Sequence, residues 1–142
     1  MGFTFAVKGK EEIKFDQTVV SGVEFLATTP DAKMARSTDL GLGLIVEGKM
    51  NYSLKKDAKE MVSKLAIWSA EHISAECYRE VTVQVIEAGQ VVRQYVLPTA
   101  FVVEYNEELD EESGSGSFHI HMRQKKDVNA DVKVTAGFEL KK

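Results

Sequence analysis

Residues 57–73 read DAKEMVSKLAIWSAEHI, and residues 78–89 follow as YREVTVQVIEAG. The first piece sets Ala58, Met61, Val62, Leu65 and Trp68 or Ser69 three and four positions apart. That spacing stacks them on one face of a helix over Asp57–Ile73. In the second piece the period falls to two, with Val81, Val83 and Val85 alternating with Thr82, Gln84 and Ile86. The same alternation returns in Phe101, Val103 and Tyr105 against Val102, Glu104 and Asn106. It returns again in Phe118, Ile120 and Met122 against His119, His121 and Arg123. One helix inside an otherwise stranded chain leaves few architectures.

Strands also flank this segment on its N-terminal side. Phe3, Phe5 and Val7 make an opening strand that stops at Gly9, and Gly9–Lys10 reads as a two-residue hairpin link to Ile13 and Phe15. Val23, Phe25 and Ala27 alternate with Glu24, Leu26 and Thr28 in a strand ended by Pro30. Leu42, Leu44 and Val46 continue the pattern to Gly48. Ser53 is placed to cap the helix, and Asp57 and Glu60 suit its positive end.

Beyond Val81–Ile86, Ala88–Gly89–Gln90 is a hairpin turn into Val91–Leu97. Pro98 is expected to break that strand, with Thr99–Asn106 following. A last strand carries Val132, Val134, Ala136 and Phe138 on one face. The expected fold is mainly β: a small antiparallel β-barrel or sandwich with one α-helix packed on the outside. Residues 1–142 form a single domain.

Two stretches follow neither period. Residues 30–41 are polar and aperiodic, and an extended loop of about a dozen residues in a compact domain is either plain solvated chain or an interaction element. Residues 107–117 read as an acidic Ser/Gly-rich loop.

Charge excludes some functions. Glu107, Glu108, Asp110, Glu111 and Glu112 supply five of the 22 acidic residues, which leaves 17 against 18 Lys and Arg. A near-neutral body with one acidic tag lacks the clustered basic surface that nucleic-acid recognition requires. Cys77 is the one cysteine, so no intramolecular disulfide forms. No apolar run approaches the roughly 20 residues of a membrane-spanning helix, and Met1–Lys8 lacks the pattern of a secretory signal. The expectation is a chain made in the cytoplasm, without direct membrane insertion.

Candidate chemistry is sparse. His119 and His121 share one strand face, a spacing able to supply two zinc ligands, yet no pattern supplies the third. Cys77 with His72 is the possible thiol–imidazole pair, without an orienting group. Gly41-Leu42-Gly43 lacks the lysine and third glycine of a phosphate loop, and the acidic run lacks the spaced ligands of an EF-hand. No catalytic residue, metal or cofactor is expected, and the chain does not read as an enzyme.

Several strands are uncharged on both faces. Thr82, Gln84 and Ile86 oppose the valines of their strand, and Val102 opposes Phe101 and Val103. A sheet with one face in bulk water usually carries more charge there. A second sheet or a neighbouring subunit is expected over that face.

The order of elements resembles one family. A helix is followed by Tyr78-Arg79-Glu80-Val81-Thr82-Val83-Gln84-Val85-Ile86-Glu87-Ala88-Gly89, a hairpin into Gln94-Tyr95-Val96-Leu97, and then Ala100-Phe101-Val102-Val103-Glu104-Tyr105. This resembles the tube-forming Hcp proteins of type VI secretion and the tail-tube proteins of contractile phage-like particles. Element order matches over nearly the whole chain, and residue-level likeness spans Leu54–Lys126.

The resemblance implies a β-barrel with an external helix, six copies in a ring, and rings stacked into the inner tube of a contractile injection system. Implied partners are further copies of the chain, the sheath, baseplate and spike proteins, and cargo in the lumen. Export would occur only with the machine. The extended loop would hold stacked rings in register through Met34, Arg36, Asp39 and Leu40. Thr82, Gln84, Ile86 and Val102 would meet a subunit or the lumen. Two other readings stay open: a small β-barrel module holding an apolar ligand, and a hydrolase using Cys77 or a metal held by His119 and His121.

Overall fold

A computed structural model describes residues 1–28, 40–51, 56–71, 77–112 and 115–136. The alternation read from the sequence becomes strands β1 (Gly2–Lys8), β2 (Glu12–Phe15), β3 (Val20–Thr28) and β4 (Gly41–Asn51). The helix α1 (Lys56–Ala70) comes next, then β5 (Arg79–Glu87), β6 (Gln90–Asp110) and β7 (Ser115–Gln124). A 3-10 turn (Lys126–Asp131) leads into β8 (Lys133–Ala136). Every pairing is antiparallel, in the order β2-β1-β5-β6-β7-β4-β3, with β8 also on β6.

Aromatic contacts show the sheet curling onto itself. Phe15 on β2, at one end of the order, lies 5.3 Å from Phe118 on β7, and Phe5 stacks on Phe15 at 5.9 Å. At the other end, Phe25 on β3 stacks on Tyr95 of β6 at 4.9 Å. β1 also packs against β3. The curled sheet encloses Phe5, Val7, Ile13, Phe15, Leu44, Val46, Val81, Val83, Leu97, Phe118, Ile120 and Met122, all buried.

The helix packs against β2, β4 and β6 and adds Val62, Leu65 and Trp68 to this core. Trp68 donates from Nε1 to the carbonyl of Cys77 at 2.9 Å, so its one polar atom is paired while its ring is buried. Full burial of each such side chain stabilises the fold by about 1.5–3 kcal/mol.

Four expectations change. The β1–β2 link has three residues, Gly9, Lys10 and Glu11, because Lys8 pairs with Glu12. The helix ends at Ala70, short of Ile73. Pro98 does not end its strand: β6 runs 21 residues from Gln90 to Asp110. Leu97 pairs with Val81 and Ala100 with Arg79, so Pro98 falls in a bulge where no ladder N–H is required.

The fourth concerns residues 107–117. Glu107–Asp110 pair with Ser115–Phe118, so strand replaces loop on both sides, and residues 113–114 lie outside the described residues. Acidic side chains suit an exposed strand; composition alone made this stretch read as loop. Elsewhere the turn expectation holds in tighter form. Ala88 and Gly89, at φ 54° and 77°, form a two-residue turn between paired Glu87 and Gln90. Ser53, His72 and Ile73 lie outside the described residues.

Candidate assembly surface

Each strand of the barrel has an outer face set by the residues that do not enter the core. On β5, Val81 and Val83 are buried, so Thr82, Gln84 and Ile86 point outward and remain half-buried. The registers extend this face across neighbouring strands. Ala6 of β1, Thr82 of β5, Val96 of β6 and Lys133 of β8 form one row. Thr4, Gln84, Gln94 and Thr135 form the next.

The second row is hydrogen bonded across three strands. Thr4 Oγ1 donates to Gln84 Oε1 at 3.3 Å, and Gln84 Nε2 donates to Gln94 Oε1 at 2.8 Å. Thr135 Oγ1 is buried without a partner among the described residues. Beside these rows a groove of about 530 Å³ is lined by Thr4, Ala6, Lys14, Asp16, Thr82 and Gln84. Among the described residues the middle of these rows carries no formal charge; Lys14, Asp16 and Lys133 stand at the margins.

Val102 does not share this surface. A bulge between Val102 and Glu104 reverses the alternation, so Val102 faces Met122 and packs on the core. Val103 takes the outward position and is 45% exposed. A bulge adds a residue to one strand only, and its partner strand gives the sole sign of it. Met34, Arg36 and Asp39 lie outside the described residues. Leu40 is described: its carbonyl accepts from Asn129 Nδ2 at 2.7 Å, which ties the end of that segment to the 3-10 turn.

Thr4, Ala6, Gln94, Val96 and Thr135 complete the face, and none of them is an interface candidate from the sequence. For Thr4 and Ala6 the signal was present, since they alternate with Phe3, Phe5 and Val7. Gln94 and Thr135 are recognised only through strand register.

His119 and His121 lie on the outer side of β7, and Nε2 of His119 is 3.9 Å from Glu47 Oε2. Among the described residues no three His, Cys, Asp or Glu converge to hold a metal. Cys77 is half-buried, and its carbonyl is engaged by Trp68. Among the described residues no helix is long and apolar enough to cross a membrane.

No protein-family model matches the chain, and no curated protein matches it. Solved structures do. The tube-containing sheath-tube complex of PVC, an extracellular contractile injection system, has a chain that superposes at TM-score 0.51. The two are 12% identical, over 95% of this chain and 88% of that one. Hcp1 from Flavobacterium johnsoniae gives 0.51 with 14% identity, over 94% and 95% of the two chains. Hcp1 from E. coli EAEC 042 gives 0.54 with 8% identity, over 96% and 99%.

The chain has the Hcp-like tube-protein fold. At such identities the likeness is one of fold, and it covers 94–96% of this chain and 88–99% of the matched chains. The uncharged face of β1, β5, β6 and β8 is an outer surface of this barrel.

Proposed function

We propose that this chain is a structural subunit of the inner tube of a contractile injection system. Six copies close into a ring, and rings stack into a tube. The observation that carries this reading is the Hcp-like fold spanning nearly the whole chain and nearly the whole of the tube proteins it resembles.

Surface chemistry supports the reading. A four-strand face bearing Thr4, Ala6, Thr82, Gln84, Gln94, Val96 and Thr135 has little charge to hold water, which suits a surface covered by a neighbouring copy. Ile86 continues it toward the end of β5. In a ring each copy presents one surface to the next and a different surface to the previous, so contacts are heterologous and the rotation must close. Met34, Arg36, Asp39 and Leu40 remain the proposed link between stacked rings. The subunit itself performs no chemistry. Its partners are its own copies, the sheath around the tube, the baseplate and spike at its ends, and cargo within. It is made and assembled in the cytoplasm and leaves only with the machine.

The apolar-ligand reading requires a hollow barrel. The described interior is instead occupied by Phe5, Phe15, Leu44, Phe118, Ile120 and Met122, which favours the structural role. Sedimentation of the purified chain tests the proposal. A species of six 15.8 kDa copies, or a series built from it, supports a ring, and a monomer across the accessible concentration range overturns it.

A further inference from the structure

On the side of the barrel formed by β3, β4, β7 and the second half of β6, the outer face is crowded with ionisable groups. His119 of β7 is paired in register with Glu47 of β4 and Asn106 of β6. His121 is paired with Ile45 of β4 and Glu104 of β6, and Ile45 in turn with Glu24 of β3. Arg123 follows on β7, and the row beyond His119 brings Lys49 and Glu108 to either side of Ser117. Among the described residues of β7, His119 and His121 stand in the middle of this face, and imidazole is the side-chain type whose charge changes near neutrality.

Each has a nitrogen that the fold leaves unpaired. His119 Nδ1 and His121 Nε2 are inaccessible to solvent and lack a hydrogen-bond partner among the described residues. His121 Nε2 lies against Gly43 of β4, 3.7 Å from where a Cβ would stand there. A neutral imidazole can leave one nitrogen as an idle acceptor in such a place. An imidazolium cannot, because both nitrogens then carry N–H groups, and a buried charged donor without an acceptor is strongly disfavoured.

We propose that His121 is a two-position acid switch on this face: neutral, it rests over Gly43, and protonated, it turns across β7 to pair with Glu104. Acidification then adds a positive charge to a face where carboxylates outnumber cations, so a contact made through it becomes dependent on pH. The switch belongs to the folded chain itself and does not require the tube reading.

Burial lowers the proton affinity of His121 below that of a free histidine, and Arg123 lowers it further, while Glu104 and Glu24 act in the opposite direction. The unfolded chain therefore binds this proton more readily than the folded one. Stability is fully present above the ordinary imidazole range and is lost as pH falls through that range toward the lower folded value.

Histidine ring resonances of the full chain, followed by NMR from pH 8 to 5, together with melting temperatures of three variants, test this. The expected result is a His121 midpoint below the free value, a simultaneous shift of the Gly43 amide, and a melting temperature that declines with acid. E104Q should move the His121 midpoint lower still, and H121N should lose most of the acid-dependent decline while H119N keeps it. An ordinary His121 midpoint with a silent Gly43 amide would overturn the proposal, and so would an H121N variant with the wild-type acid profile.

Discussion

The ring of Phe118 on β7 lies directly over Gly48 on β4. A Cβ placed at residue 48 would stand 2.4 Å from two ring carbons, closer than side-chain atoms pack. The two residues are also register partners, so the absent side chain is what makes room for the Phe118 ring between β4 and Phe15. Phe118 is buried, and its ring packs tilted at 37° against that of Phe15. Gly48→Ala should therefore destabilise the fold by about 1–3 kcal/mol. Chemical denaturation followed by Trp68 fluorescence reads the loss. A Gly48→Ala protein as stable as wild type would mean that this packing is not as described.

Gln124 is buried, yet both ends of its amide are used. Oε1 accepts from the Thr99 amide at 3.0 Å, and Nε2 donates to the Val128 carbonyl at 3.1 Å. It thus satisfies the β6 bulge at Pro98–Thr99 and anchors the 3-10 turn. Gln124→Leu keeps the volume and strands both backbone groups, with an expected cost of about 1–3 kcal/mol for each left buried and unpaired. Urea unfolding of the variant measures the combined loss, and an unchanged midpoint would refute the role.

These two residues mark how far the sequence could be read. The core sets of β1, β5 and β7 were legible because alternation alone separates Phe5, Val81 and Phe118 from Thr4, Thr82 and His119. The bulges at Pro98 and Val103 were not, since each is defined by a partner strand whose register no local pattern encodes. Val102 was for that reason assigned to the wrong face. Glu107–Asp110 read as loop because their charge outweighed their strand pairing with Ser115–Phe118. Part of the candidate surface, Thr82, Gln84 and Ile86, was visible in one strand. Gln94 and Thr135 join it only across the sheet.

At the β5–β6 turn, Ala88 adopts a φ of 54°, a left-handed conformation that opposes a Cβ. Asparagine tolerates this region and is favoured before glycine in such turns. Ala88→Asn should stabilise the protein by about 1 kcal/mol, seen as a higher melting temperature. A decrease would show that the turn relaxes away from this geometry.

Thr82 sits in the middle of the uncharged face, between Ala6 and Val96. A lysine there can reach water in an isolated chain, with an expected stability change of about 0.5 kcal/mol or less. Buried against another copy, the same charge would be costly. Thr82→Lys should thus abolish assembly while leaving the melting temperature of the dispersed chain nearly intact. Ile67→Lys, on a helix position that is 67% exposed, is the control expected to assemble normally. Size-exclusion chromatography of both variants separates the outcomes, and equal assembly by both would place the contact elsewhere.

Negative-stain micrographs of the purified chain show whether it closes into rings. Class averages should show rings with six-fold symmetry and a central lumen, and side views should show such rings stacking end to end. Fields of dispersed single barrels at every concentration, with neither rings nor stacks, would contradict the account.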